Sequence, residues 1–292
     1  MSDRDSILIA RPEIHRAPVD SSAFGVVQKP LSTAEKLSAN PALRKTLILI
    51  VLALLWEIGA RMLNSELLFP TFIATTTAFV KGIVSGELLR HVWVSLKVLL
   101  TGYAIGILLA ALLTGIGIVS RVGTDILETL TAMFNPLPAI ALLPIALIWF
   151  GLGEASLVVV LVHSVVWAVA LNTHSGFRSV SSTQRMVGKN YGLGGFSYVA
   201  KILIPAAFPS ILTGLKIGWA FAWRTLIASE LVFGVSSGSG GLGWYIYENK
   251  NELDIPKVFA GLLTVILIGL LVENLIFRVI ENRTVRKWGM QH

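Results

Sequence analysis

Lys216, Trp223 and Glu230 recur at intervals of seven residues within an apolar stretch, and Arg224 lies beside the second of them. At about 100° per residue the three share one helical stripe. A charge in hydrocarbon costs at least ~2.5–3.5 kcal/mol, so the stripe must face protein or water and not lipid. Lys216 and Glu230 stand about 21 Å apart along a helix axis, too far for a mutual ion pair, so each requires its own partner. Lys216 lies near the end of the stretch, where a long side chain snorkels to the interface. Arg224 and Glu230 lie deeper, and they serve either a transport pathway or a tie between helices.

Several patterns that resemble catalytic signatures do not hold. His163 and Ser164 suggest an intramembrane hydrolase, but adjacent residues on a helix point about 100° apart and do not make a nucleophile–base pair. A packed, hydrogen-bonded histidine is the expectation there. Gly238-Ser-Gly240-Gly-Leu-Gly243 satisfies G-x-G-x-x-G yet follows no βαβ unit. It reads as a flexible re-entrant connection leading to Trp244 and Tyr245 as interfacial anchors. The chain contains no G-x-x-x-x-G-K-[ST] loop and no cysteine. It therefore has no P-loop ATP site, thiol nucleophile or cysteine-ligated metal of its own. We expect no catalytic residue, metal site or cofactor in this chain.

The elements that position these residues are membrane helices. Of 292 residues, 54% are hydrophobic and 14% charged, against about 45–50% and about 25% in soluble chains. Apolar runs at 47–63, 98–119, 130–153, 155–173, 208–233 and 258–280 predict six spans in an all-α membrane protein. With both termini inside, sixteen of the 24 Lys and Arg flank the spans on the cytoplasmic side and four lie opposite. That asymmetry accounts for the net charge of +7 without nucleic-acid binding. Residues 1–46 read as a cytoplasmic tail and not a secretory signal. Its first thirty residues are polar and poorly ordered by composition, and a short amphipathic helix follows, capped by Ser32 and Glu35 and ending near Pro41. Residues 70–91 are too polar to cross and suit an interfacial helix outside. Residues 283–292 form a cytoplasmic C-terminal tail.

The third span carries Asn135, Pro136, Pro138 and Pro144. Each proline removes a backbone donor and clashes with the preceding turn, so this helix must break or kink. Freed backbone groups are tolerated where they line a cavity, which makes a substrate path the functional reading and a packing kink the plain one. The long cytoplasmic connection, 174–207, is built as a docking element. Ser181 and Gln184 cap a short helix through Tyr191, the glycines from Gly192 to Gly195 stop it, and apolar residues at helical spacing restart at Phe196. Pro205 and Pro209 then lead into the fifth span. Its apolar face packs either on its own bundle or on a soluble partner.

From about Leu68 to Trp288 the chain resembles the permease subunits of bacterial ABC importers of the nitrate, sulfonate, taurine and bicarbonate type. The resemblance rests on the run Ser95 to Tyr103, on Asn135 to Gly153, on Ala222 to Glu230 and on Gly241 to Trp244. The family's cytoplasmic EAA signature corresponds to Met186, Val187 and Gly188, followed by Gly192 and by Ile204-Pro205; the signature favours an acidic residue and two alanines at the first three positions. The resemblance implies coupling to an ATPase through Met186, Val187, Gly188, Tyr191, Gly192 and Pro205. It also implies a second permease subunit, two cytoplasmic ATPase subunits and an extracytoplasmic binding protein. A small anion is its expected substrate. A path past Asn135, Pro136, Pro138, Trp223, Arg224 and Glu230 in the inner membrane completes the expectation. An ion-coupled secondary transporter and an intramembrane hydrolase are the alternatives.

Overall fold

The computed structural model describes residues 40–233 and 240–287, and among them every regular element is a helix. They fall into two units, divided after Leu52. Helix α1, Pro41–Leu63, begins where the sequence suggested that an amphipathic helix would end. The reason is local: Asn40 accepts from the Ala42 amide at 3.0 Å, and proline at a first helical position gives up a donor that would be unpaired anyway. The Ser32–Glu35 cap lies outside the described residues.

The larger unit continues with α2, Phe72–Val84, and α3, Glu87–Val119. The expected interfacial helix over 70–91 is thus shorter than predicted. Gly86, at φ +76°, breaks it, and residues 87–91 belong to the 33-residue α3. Helix α4, Arg121–Phe134, is followed by a 3₁₀ turn, Ala139–Leu142, and by α5, Leu143–Phe150. The two arms bend by 86° at Asn135 to Pro138, and together they are long and apolar enough for one span. The predicted proline break is therefore present, as a sharp fold between two arms. Pro144 does not contribute to it, because it sits in the first turn of α5, where no donor is missed.

Helix α6, Glu154–Ser179, is the centre of the bundle and carries the longest series of buried residues. Its C-terminus leads to α7, Ser182–Asn190, then α8, Gly195–Tyr198. A π turn, Val199–Leu203, joins α8 to α9, Ile204–Phe233. Pro205 and Pro209 therefore lie inside a continuous helical run and not ahead of it. Pro205 falls in the first turn of α9, and Pro209 lies within the helix. Helices α10, Leu242–Asn251, and α11, Ile255–Leu271, follow. From α11 the chain runs through π turns to Arg286, so the expected C-terminal tail begins as helix. Five helical segments are each long and apolar enough to cross a membrane, and the bent pair makes a sixth.

Close helix approach holds the bundle together. A Cβ at Gly102 would stand 2.6 Å from Leu161 Cβ, and one at Gly106 would stand 2.7 Å from Val165 Cβ. This glycine pair, four residues apart, brings α3 against α6 at backbone distance, the route by which membrane helices associate without a hydrophobic drive. On the other side Gly214 of α9 meets Asn172 and Val169 of α6 in the same way. Gly106→Val should therefore separate α3 from α6 and destabilise the bundle by roughly 1–3 kcal/mol. Gly115→Ala, on the same helix with nothing within 4 Å, should not. Thermal unfolding in detergent compares them, and equal midpoints would show that α3 and α6 do not depend on this contact.

Candidate functional site

Four predicted pathway residues share a cavity of about 340 Å³ at the proline bend: Asn135, Pro136 and Pro138, and Arg224 opposite them on α9. Phe221, Arg224, Thr225 and Ala228 supply the α9 wall, a spacing that places them on one helical face. His163, Ser164 and Trp167 of α6 supply the floor. The Arg224 guanidinium lies 5.3 Å from the Phe221 ring centre, and its Nε donates to the Ala220 carbonyl at 2.9 Å. Among the described residues, no carboxylate lines this cavity. A second cavity of about 690 Å³ shares Asn135 and Pro136 with the first and continues past Thr131, His174 and Arg178. There Arg178 donates to Glu128 at 2.5 Å.

Trp223 and Glu230 are elsewhere. Trp223 is buried and its indole N–H donates to the Val265 carbonyl at 3.3 Å. Lys216 donates to Glu281 Oε2 at 2.6 Å, with Glu273 at 3.8 Å, so it is paired within the protein. The stripe through these three residues faces the bundle, as its charge requires, and the cavity lies on another face of α9.

Glu230 is 3% exposed and acts as a tie. The Ser95 hydroxyl of α3 lies 2.8 and 2.9 Å from its two oxygens and has one proton to give. The Gly243 amide donates to Glu230 Oε2 at 2.7 Å, and the Leu242 amide donates to Ser95 Oγ at 2.7 Å. Those amides open α10, so the carboxylate and the hydroxyl together cap its N-terminus, where donors lack partners and negative charge is favoured. A Cβ at Gly241 would overlap both the Glu230 carboxylate and the Ser95 hydroxyl. The glycines at 240, 241 and 243 thus permit close backbone approach; Gly238 lies outside the described residues. Tyr245 is 1% exposed, a core side chain stacked near His91, and not the interfacial anchor its sequence position suggested. His91 Nδ1 stands 2.6 Å from the Gly240 carbonyl. Sequence reading missed Ser95 and His91, whose spacing on α3 places both on one face.

His163 also corrects an expectation. Both its ring nitrogens are buried without a hydrogen-bond partner, as is Trp167 Nε1. Ser164 Oγ lies 3.2 Å from both the Val160 carbonyl and Thr225 Oγ1, and has no contact with His163. A hydrolytic pair is absent from this position.

The coupling residues lie together at one end of α6. Ser181 accepts from the Gln184 amide at 3.3 Å, the predicted cap. Arg185 donates to the Phe177 and Val180 carbonyls at 2.5 and 3.1 Å, fastening α7 to the last turn of α6. Gly188 is buried, and a Cβ there would meet Tyr198 and Ile202 at 2.9 Å, so α7 packs closely on the following helical run. Met186, Val187, Tyr191 and Phe196 remain exposed, the last two by 81% and 84%. Gly192 holds φ +70°, and Pro205 borders a shallow cavity with Val187 and Gln184.

The tie predicts an order among Glu230 variants. Glu230→Gln keeps one acceptor oxygen for these donors, whereas Glu230→Ala leaves the Gly243 amide and the Ser95 hydroxyl unpaired at roughly 1–3 kcal/mol each. Thermal unfolding should rank wild type above Gln and Gln above Ala. Equal losses in the two variants would contradict the tie.

Residues 102–286 match the family described as the inner membrane component of binding-protein-dependent transport systems. The chain is similar to SsuC of Bacillus subtilis, named for aliphatic sulfonates transport, with 26% identity across 89% of this chain and 94% of the relative. It is likewise similar to the taurine transport system permease protein TauC of Escherichia coli, with 28% identity over 80% of this chain and 85% of that one. The nitrate import permease protein NrtB of Synechocystis shares 28% identity over 80% and 86%. The family match extends from Gly102 of α3 through the bent pair and residues 174–207 to Glu230 and beyond, and leaves Ser95 outside. With that match and its helices long and apolar enough to cross a membrane, the chain belongs to the binding-protein-dependent transport permeases, as a multi-pass membrane protein.

Proposed function

We propose that this permease forms the membrane path of an ATP-driven importer for a small oxyanion. The observation that carries the reading is the cavity at the proline bend, which presents Arg224 and Asn135 and no carboxylate. Electropositive, carboxylate-free linings favour anions, and the sulfonate and nitrate in the names of SsuC and NrtB are anions. The path residues are Asn135, Pro136, Pro138 and Arg224. Trp223 and Glu230 support it from the far side of α9.

The assembly comprises two copies of this chain, two cytoplasmic ATPase subunits and an extracytoplasmic binding protein, in a bacterial inner membrane with both termini cytoplasmic. The chain divides into a tail at 1–46, a transmembrane domain at 47–282 containing the coupling segment 174–207, and a tail at 283–292. The ATPase seats on the exposed apolar group Met186, Val187, Tyr191 and Phe196. Because the usual acidic residue is absent there, docking relies on apolar contact. Closure of the ATPase dimer then shifts the bundle between inward-open and outward-open populations. ATP hydrolysis belongs to the partners, and this chain performs no chemistry and needs no cofactor. Glu230 is committed to the Gly243 amide and the Ser95 hydroxyl, which disfavours its use as a proton carrier.

Gly192→Pro forces φ to about −65° at a residue held at +70°, and Tyr191→Asp places a charge on the docking face. In vesicles reconstituted with ATPase and binding protein, the wild type should take up anion in proportion to ATP hydrolysed. Both variants should lose most uptake while the assembled ATPase still turns over. Wild-type uptake by both would remove this segment from coupling. Uptake that needs no ATP and collapses with the ion gradient would overturn the importer reading.

A further inference from the structure

Among the described residues, four carry buried side-chain polar atoms with no hydrogen-bond partner: Thr75, Thr131, His163 and Trp167. Three of the four line the two joined cavities at the proline bend, His163 and Trp167 the first and Thr131 the second. Buried polar groups are nearly always paired, because stranding one forfeits its hydration. Their concentration at one place calls for a ligand that completes them. The chemistry of the set specifies that ligand. The Trp167 indole is a donor only, the Arg224 guanidinium is a donor only, and His163 offers an N–H in either tautomer. Asn135 adds an amide, and no acidic side chain stands in the first cavity. Phe134 stacks on Trp167 at 5.3 Å and meets the His163 ring edge-on at 6.4 Å. It is the last residue of α4, immediately before the bend.

We infer that the permease holds its own substrate site at this bend, a stationary oxyanion site built from Arg224, His163, Trp167 and Asn135. The inference rests on the importer reading and deepens it, because selectivity then resides in the membrane domain as well as in the binding protein. Phe134 covers the two aromatic donors from the arm that ends at the bend. Movement of α4 about Asn135 to Pro138 uncovers them to the arriving anion. A sulfonate or nitrate oxygen accepts from the Trp167 and His163 N–H groups while Arg224 balances the charge. A neutral molecule of the same shape gains the hydrogen bonds without that charge balance and is rejected.

The test uses the permease–ATPase complex in lipid nanodiscs without binding protein, titrated calorimetrically with nitrate, taurine, methanesulfonate and the neutral methanesulfonamide. At least one anion should bind, and methanesulfonamide should not. His163→Phe keeps a ring against Phe134 and removes both nitrogens, and Trp167→Phe removes a single donor. Each should weaken binding tenfold or more and raise the transport KM in vesicles supplied with saturated binding protein. Arg224→Gln should abolish binding. Unfolding midpoints near wild type for either aromatic variant establish that the loss is local. Should both variants unfold, wild-type discrimination between methanesulfonate and methanesulfonamide decides the matter. ATP-driven uptake of an anion that the complex does not bind, or undiminished binding by folded His163→Phe and Trp167→Phe, would overturn the site and leave the importer standing. Absence of ATP-driven uptake for every anion would overturn the importer reading itself.

Discussion

A carboxylate buried to 3% in an apolar bundle must find donors within reach, and Glu230 takes them from two other segments. Its bonds to Ser95 and to the Gly243 amide fix α3, α9 and the start of α10 at one point. Removing charge from water is repaid only when the carboxylate is fully hydrogen-bonded, so the positions of these elements are set together. Much else follows from that requirement. Gly241 must lack a side chain because the carboxylate and the serine occupy its place. His91 reaches the Gly240 carbonyl one turn of α3 before Ser95, and Tyr245 packs behind it.

The same constraint orients α9. Six residues separate Arg224 from Glu230, a rotation of about 240° beyond one full turn, so the two charges leave the helix on different sides. Glu230, Trp223 and Lys216 face the bundle, and each bonds to a different element: the first turn of α10, the Val265 carbonyl, and Glu281. Arg224 thereby turns to the cavity with Phe221, Thr225 and Ala228. One helix thus serves as a structural post on one face and lines the cavity at the proline bend on the other.

What was legible in the sequence was whatever hydrophobic period, proline or charge cost dictates locally. The apolar runs, the break at Asn135 to Pro138, the Ser181 cap and the need to shield the Lys216–Glu230 stripe are of this kind. Distant partners were not legible. Lys216 meets Glu281 across 65 residues of sequence, and no local pattern pairs them. The tie needed Ser95 and Gly243 from remote segments, so Glu230 alone read equally well as pathway or as tie. His163 was expected to be bonded because buried polar groups usually are. Its exception shows only in the folded chain, where both ring nitrogens are buried without a hydrogen-bond partner.

The central helix α6 connects the two ends of the proposed machine. Its C-terminal carbonyls are held by Arg185 of the coupling segment. Its middle carries His163, Ser164 and Trp167 at the cavity floor. Gly106 and Gly214 bring its flanks against α3 and α9 so closely that a Cβ at either would clash. In the proposed coupling, a push delivered at α7 would move α6 together with its neighbours, because close-packed interfaces shift between discrete arrangements and do not deform smoothly. The freedom that remains is at the proline bend, where Asn135 to Pro138 join two arms folded at 86°. Motion of α6 against that elbow would change how far Phe134 covers the donors of His163 and Trp167. In that proposed mechanism, coupling and substrate access become two readouts of a single displacement, with the bend that interrupts the third span as its elbow.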